Sequence, residues 1–123
     1  MKRQIRIKAD TVTALAELND TKTATAIWEA LPFSDDALTW GDEIYFTIPV
    51  VMDLDGGQEL VNPGDLGYWP PGNAFCIFFG PTPISRKGEI RAASPVNIIG
   101  NLIDDPQKFK KVKEGQKVIV EKL

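Results

Sequence analysis

The stretch Ala74–Phe79, AFCIFF, decides the fold. Every position is apolar, so a strand here has no face suited to water. It must be covered on both sides, by core on one and by a helix or a pocket on the other. Gly64, Gly67 and Gly72 before it read as turn residues around Tyr68 and Trp69, and they fit neither phosphate-loop spacing.

Upstream, Asp55, Gly56 and Gly57 supply residues able to take positive φ, which predicts a tight hairpin turn. Before it, Glu43 to Val50 alternates, with Ile44, Phe46, Ile48 and Val50 on one face and Tyr45, Thr47 and Pro49 on the other. Asn19, Asp20 and Thr21 offer N-cap oxygens ahead of Ala24, Ile27, Trp28 and Leu31, spaced i, i+3, i+4, i+7. That pattern predicts an amphipathic helix stopped by Pro32. At the start, Ile5 and Ile7 oppose Arg6 and Lys8, a turn falls at Ala9 and Asp10, and Val12, Ala14, Ala16 and Leu18 continue the alternation as a hairpin.

Downstream, Val96–Leu102 reads as a strand, and Asp104 or Asp105 before Pro106 marks a helix start. Phe109 and Val112 form that helix's buried stripe, Gly115 caps it, and Lys117–Leu123 is the final strand. The total is about seven or eight short strands with two helices, with Gly and Pro recurring throughout. The expected fold is mainly β, a closed antiparallel barrel capped at its ends.

A chain of 123 residues suits one core, hence a single domain over residues 1–123. Hydrophobic residues at 43% and charged residues at 25% exclude a disordered chain. A net charge of −3 argues against nucleic acid or anionic membrane as a partner. Lys108, Lys110, Lys111, Lys113, Lys117 and Lys122 read as a solvated face, since only Phe109 is interleaved among them. The lone Cys76 has no disulfide partner, so a cytoplasmic location is expected. Met1 to Arg6 alternates charge with apolar residues and carries no signal-like run, and no apolar run reaches membrane-spanning length.

Several stretches resemble cyclophilins. Lys22–Leu31 (KTATAIWEAL) is similar to their first helix, Cys76–Phe79 (CIFF) sits where they carry paired phenylalanines, and Asn97–Lys122 resembles their closing strand, glycine, helix and strand. More specifically, TWGDEIYF from Thr39, GDLGYWPPG from Gly64, FFGPTP from Phe78 and SPVNIIG from Ser94 resemble a small prokaryotic cyclophilin-like family, over nearly the whole chain. The resemblance implies a cyclophilin-like barrel more than it implies a reaction. The isomerases of that fold carry an essential arginine between the first helix and the paired phenylalanines. Here no arginine lies between Arg6 and Arg86, and Val96 stands where a histidine is usual.

The chain has no histidine, which removes Ser-His and Cys-His nucleophile pairs and the commonest metal ligand. Asp53, Asp55 and Gly56 do not make a calcium loop, because Gln58 occupies the sixth position where glycine is required. Asp42 and Glu43 beside Trp40 form either a carboxylate pair in an apolar pocket, where a pKa rises, or a pair that satisfies backbone donors at the start of a strand. Cys76, among phenylalanines and far in sequence from any cation, reads as a small buried hydrophobe. Trp69 with Pro70 and Pro71 presents an indole on a rigid turn, either as a cleft wall or as a barrel plug.

The leading expectation is a binding module with an apolar cleft lined by some of Tyr45, Trp69, Phe75, Phe79 and Asn97, for a small molecule or a proline-containing peptide. Of these, Phe79 follows from the cyclophilin resemblance, and the others from motif membership and strand alternation. No catalytic residue, cofactor or metal is assigned. Two alternatives stay open: an atypical prolyl isomerase using Arg86 or Arg91, and a non-catalytic subunit of a larger enzyme, as the resemblance to cyclophilin-like domains of oxoprolinase-type assemblies implies.

Overall fold

The computed structural model describes residues 3–123. In chain order it comprises β1 (Arg3–Ala9), β2 (Val12–Leu18), α1 (Lys22–Ala30), β3 (Phe33–Asp36), β4 (Leu38–Thr39), β5 (Glu43–Thr47), β6 (Gln58–Val61), β7 (Asp65–Trp69), a 3-10 turn (Pro70–Gly72), β8 (Ala74–Phe78), β9 (Ile90–Leu102), a 3-10 segment (Pro106–Lys111) and β10 (Lys117–Lys122). Met1 and Lys2, part of the stretch read for an export signal, lie outside the described residues. No helix among the described residues is long and apolar enough to cross a membrane.

Strand pairing is antiparallel throughout, in the order β3-β10-β1-β2-β9-β7-β8-β5-β4, with β6 pairing separately on β9. The expected closed barrel requires correction, because no ladder joins β3 to β4 among the described residues. These two outermost strands are consecutive in the chain, separated by Ala37 alone, so the sheet curls until its edges meet at a covalent corner. The Ala37 N–H donates to the Gln116 carbonyl at 2.8 Å and its own carbonyl accepts from Gly115 N–H at 2.8 Å. The corner's backbone groups are thereby satisfied without a β3–β4 ladder.

The strand Ala74–Phe78 is covered on both faces, as its composition requires. Phe75 and Ile77 enter the main core, while Ala74, Cys76 and Phe78 enter a second cluster with Val61, Ile90, Ala92 and Val96. The second cluster exists because β9 is long: its first half pairs with β6 and its second half with β7 and β2. Fully burying each large side chain of this kind contributes about 1.5–3 kcal/mol.

Helix α1 starts as its sequence predicts. Thr21 Oγ1 accepts from Ala24 N–H at 3.2 Å, and Thr21 Oγ1 in turn donates to Asn19 Oδ1 at 2.7 Å. Thr23, Ala24 and Ile27 form its buried face, while Trp28 is only half-buried, with Lys122 Nζ 4.7 Å from its ring centroid. The second expected helix is present as a six-residue 3-10 helix, Pro106–Lys111. Asp105 caps it by accepting from Gln107 N–H at 3.0 Å. Val112 has already turned extended (φ −81°, ψ 130°) as it enters the core, so only Phe109 anchors the segment.

Residues 55–57 are not a hairpin tip, since β5 pairs with β4 and β8, and β6 pairs with β9. The backbone between β5 and β6 is held by side chains rather than a ladder. The Tyr68 hydroxyl donates to Val50 O at 2.7 Å and accepts from Met52 N–H at 3.1 Å. Asn97 donates to Asp53 O at 2.9 Å and accepts from Asp55 N–H at 2.8 Å. Such satisfaction lets the segment run without strand partners.

Candidate functional site

The candidate site lies on the sheet face that carries the second cluster. Along β5, Ile44 and Phe46 point to the main core, which sends Glu43 and Tyr45 to the other face. Along β7, Leu66 and Tyr68 point inward and Gly67 and Trp69 outward. At Gly67 a Cβ would sit 3.1 Å from Val96 and 3.2 Å from Phe78, so the absent side chain lets β9 lie close. Trp40 is brought over this face by the turn into β5, closed by Trp40 N–H donating to Glu43 O at 3.0 Å. That turn passes through Gly41 at φ +61°, pressed against residues 81–83, where a Cβ would come within 2.9 Å of backbone.

Together Trp40, Glu43, Tyr45, Trp69, Ala92, Ala93 and Val96 line a half-open cavity of about 250 Å³. Three large aromatics form the walls, and the small side chains of Ala92 and Ala93 leave the space open. Tyr45 and Trp69 meet edge to face, with centroids 6.4 Å apart at 77°, a preferred aromatic geometry. Trp69 Nε1 donates to Ser94 Oγ at 2.7 Å, which fixes the indole against β9.

Glu43 is the one ionisable carboxyl on this lining, and it is only 6% exposed. No lysine or arginine forms an ion pair with it among the described residues. Burial pushes its pKa up to about 7, an effect partly offset by the Cys76 thiol on β8, which favours the charged form. The Cys76 thiol is itself pushed well up, first by burial and then by the Glu43 charge.

Of the five residues expected on the cleft, the fold brings Tyr45 and Trp69 together on this cavity. Phe75 faces the opposite way, fully buried and stacked on Phe46 at 5.3 Å between centroids. Phe79 lies in the main core against Phe109 and borders a separate groove with Asp42, Lys110 and Glu114. Asn97 is 4% exposed and spends its amide on Thr23 Oγ1 at 3.1 Å and on the 53–55 backbone. The adjacent Asp42 and Glu43 diverge, Asp42 to that groove and Glu43 to the cavity.

Neither later arginine lines the cavity. Arg91 is engaged by Glu89 at 2.8 Å and by Glu59 at 3.2 Å, and the Arg86 backbone N–H donates to Glu89 at 3.1 Å. Among the described residues no three His, Cys, Asp or Glu side chains converge as metal ligands.

The arrangement of strands has a known counterpart. The solution structure of a hypothetical protein from Archaeoglobus fulgidus superposes with a TM-score of 0.82 at 39% sequence identity, over 99% of this chain and 95% of that one. No functionally curated protein matches the chain. Residues 3–121 match the family described as Cyclophilin-like, over all of the sheet that builds the cavity, and the chain belongs to that family.

Proposed function

We propose that the protein is a binding module whose Trp40–Tyr45–Trp69 cavity takes a small molecule or a proline-containing peptide, without prolyl isomerase activity. The observation that carries this reading is a preformed cavity of about 250 Å³ with aromatic walls and no guanidinium. Its size lies near the lower end of small-ligand sites, which suits one compact group rather than an extended chain. Tyr45 and Trp69 are contact residues, while Phe75, Phe79 and Asn97 support the strands and the 53–55 loop that carry them.

Isomerisation of a prolyl bond faces a barrier of about 18–20 kcal/mol, and a site lowers it only by favouring the twisted amide over the planar one. A fixed donor aimed at the amide nitrogen does so. Arg91, the nearer candidate in sequence to the lining alanines, is committed to two glutamates, so binding here leaves ground and transition states equally favoured. A reduced, buried Cys76 fits a cytoplasmic location.

The test is an NMR titration of the full chain with a fragment collection and with proline peptides, following the indole N–H signals of Trp40 and Trp69. A collection in which no compound shifts either signal sinks the binding reading. A protease-free exchange assay on the same peptides should show no catalysis; robust exchange abolished by Arg86→Ala or Arg91→Ala would establish the isomerase alternative instead.

A further inference from the structure

The walls of the cavity have a chemistry of their own. Two indoles and a phenol share its lining with a carboxyl that has no cationic partner among the described residues. Aromatic faces attract cations through the ring quadrupole, most strongly for tryptophan, and the attraction grows when the site excludes water. A carboxylate as buried as Glu43 interacts with a cation through a lower effective dielectric than a surface group does. Burying the carboxylate alone is unfavourable, and a cation seated beside it offsets that cost.

Resting on the binding-module reading above, we propose that the cavity accepts a methylated ammonium head group, with Trp40, Tyr45 and Trp69 as the cage and Glu43 as its counter-charge. The argument against other cations comes from what the walls lack. A primary ammonium brings three donors and a guanidinium five, yet Glu43 is the only charged acceptor on the lining. A divalent metal needs about six oxygen ligands, and the remaining lining is aromatic or aliphatic. A methylated ammonium has few or no N–H groups to satisfy and presents methyls to Ala92, Ala93 and Val96.

The groups that face Glu43 leave its charge free for this role. From β8 it meets the Cys76 thiol, and Tyr45 stands beyond it on its own strand. On β9, Arg91 is engaged by Glu59 and Glu89. Asp42, its chain neighbour, borders the other groove. Because the cation selects the carboxylate form, apparent affinity follows the charged fraction of Glu43. It should fall as pH drops through about 7, level off above that value, and at low pH approach the weaker binding that the aromatic walls alone supply.

The experiment is an NMR titration of the full chain at pH 8 with choline and with 3,3-dimethyl-1-butanol, its neutral isostere. The expected result is that choline shifts the Trp40 and Trp69 indole signals with at least about tenfold the affinity of the alcohol. Glu43→Gln should cut the choline preference several-fold, leaving only what the aromatic walls supply. Should that variant fail to fold, the wild-type pH profile replaces it: choline binding falls from pH 8 to pH 5.5 while alcohol binding stays flat. Equal affinities at pH 8, a preference for the alcohol, or a flat choline profile overturns the inference. If choline fails while the alcohol or another neutral fragment occupies the cavity, the cation inference falls and the binding module stands; if nothing binds, both fall.

Discussion

Trp69 Nε1 and Ser94 Oγ meet at 2.7 Å, joining the end of β7 to the first half of β9 across the rim of the cavity. The bond orients an indole that meets the Tyr45 ring at 77°. It also ties the cavity to the arm of β9 that depends on β6 for its pairing.

Ser94→Ala should therefore loosen the cavity more than it unfolds the protein. The expected loss of stability is about 0.5–1.5 kcal/mol by urea denaturation, the net worth of one such bond. The Trp69 indole signal should broaden and any bound fragment weaken several-fold. An unchanged indole signal and unchanged affinity would show that packing alone positions the ring.

Trp28→Ala tests the packing of α1. A tryptophan lost from a full core costs about 3–5 kcal/mol, but this ring is half-buried and keeps one face for Lys122. The expected cost is about 1–3 kcal/mol, read from the urea midpoint. A value above that range would mean the ring carries more of the core than its exposure allows.

Cys76 should not react with a thiol reagent in the native state. Its side chain is 1% exposed in the second cluster, and its thiol is held protonated by burial and by the Glu43 charge. Labelling should appear only with denaturant and track global unfolding. Labelling at native conditions on the timescale of an exposed thiol would show that the β6–β9 cover opens locally.

The stretch AFCIFF made a two-sided central strand legible, because no water-facing position exists in it. The same uniformity hid which side bears the cavity: Phe75 and Phe79 share the main core, while Ala74, Cys76 and Phe78 share the second cluster. Tyr45 and Trp69 were readable from an alternating strand and a proline-fixed turn. Ala92, Ala93 and Val96 were not, since they gain meaning only when β9 pairs with β6, a distant segment of the sequence. Neither β6, with exposed residues at 58–60, nor the short β4 carries an apolar alternation. The barrel's missing ladder depended on hydrogen bonds between Ala37 and residues 115–116, a long-range pairing that local pattern does not encode.

Glu43 should make stability depend on pH in the direction opposite to a salt-bridged carboxylate. An ordinary glutamate titrates near 4.5, and in the fold burial moves Glu43 to about 7. Between those values the folded chain holds a proton that the unfolded chain has released, so stability falls as pH rises. The contribution is fully present below 4.5 and is lost as pH climbs through about 7. The gap from 4.5 to about 7 corresponds to roughly 3 kcal/mol. Glutamine keeps the shape and the hydrogen-bonding capacity of the protonated acid but never ionises. Urea unfolding of wild type and Glu43→Gln at pH 4.5 and at pH 8 isolates the group, because all other titrations are common to both chains. The variant should match wild type within about 1 kcal/mol at the lower pH and exceed it by roughly 2–3 kcal/mol at the higher one. A difference between the two chains that is the same at both pH values would show that Glu43 ionises as an ordinary surface carboxylate.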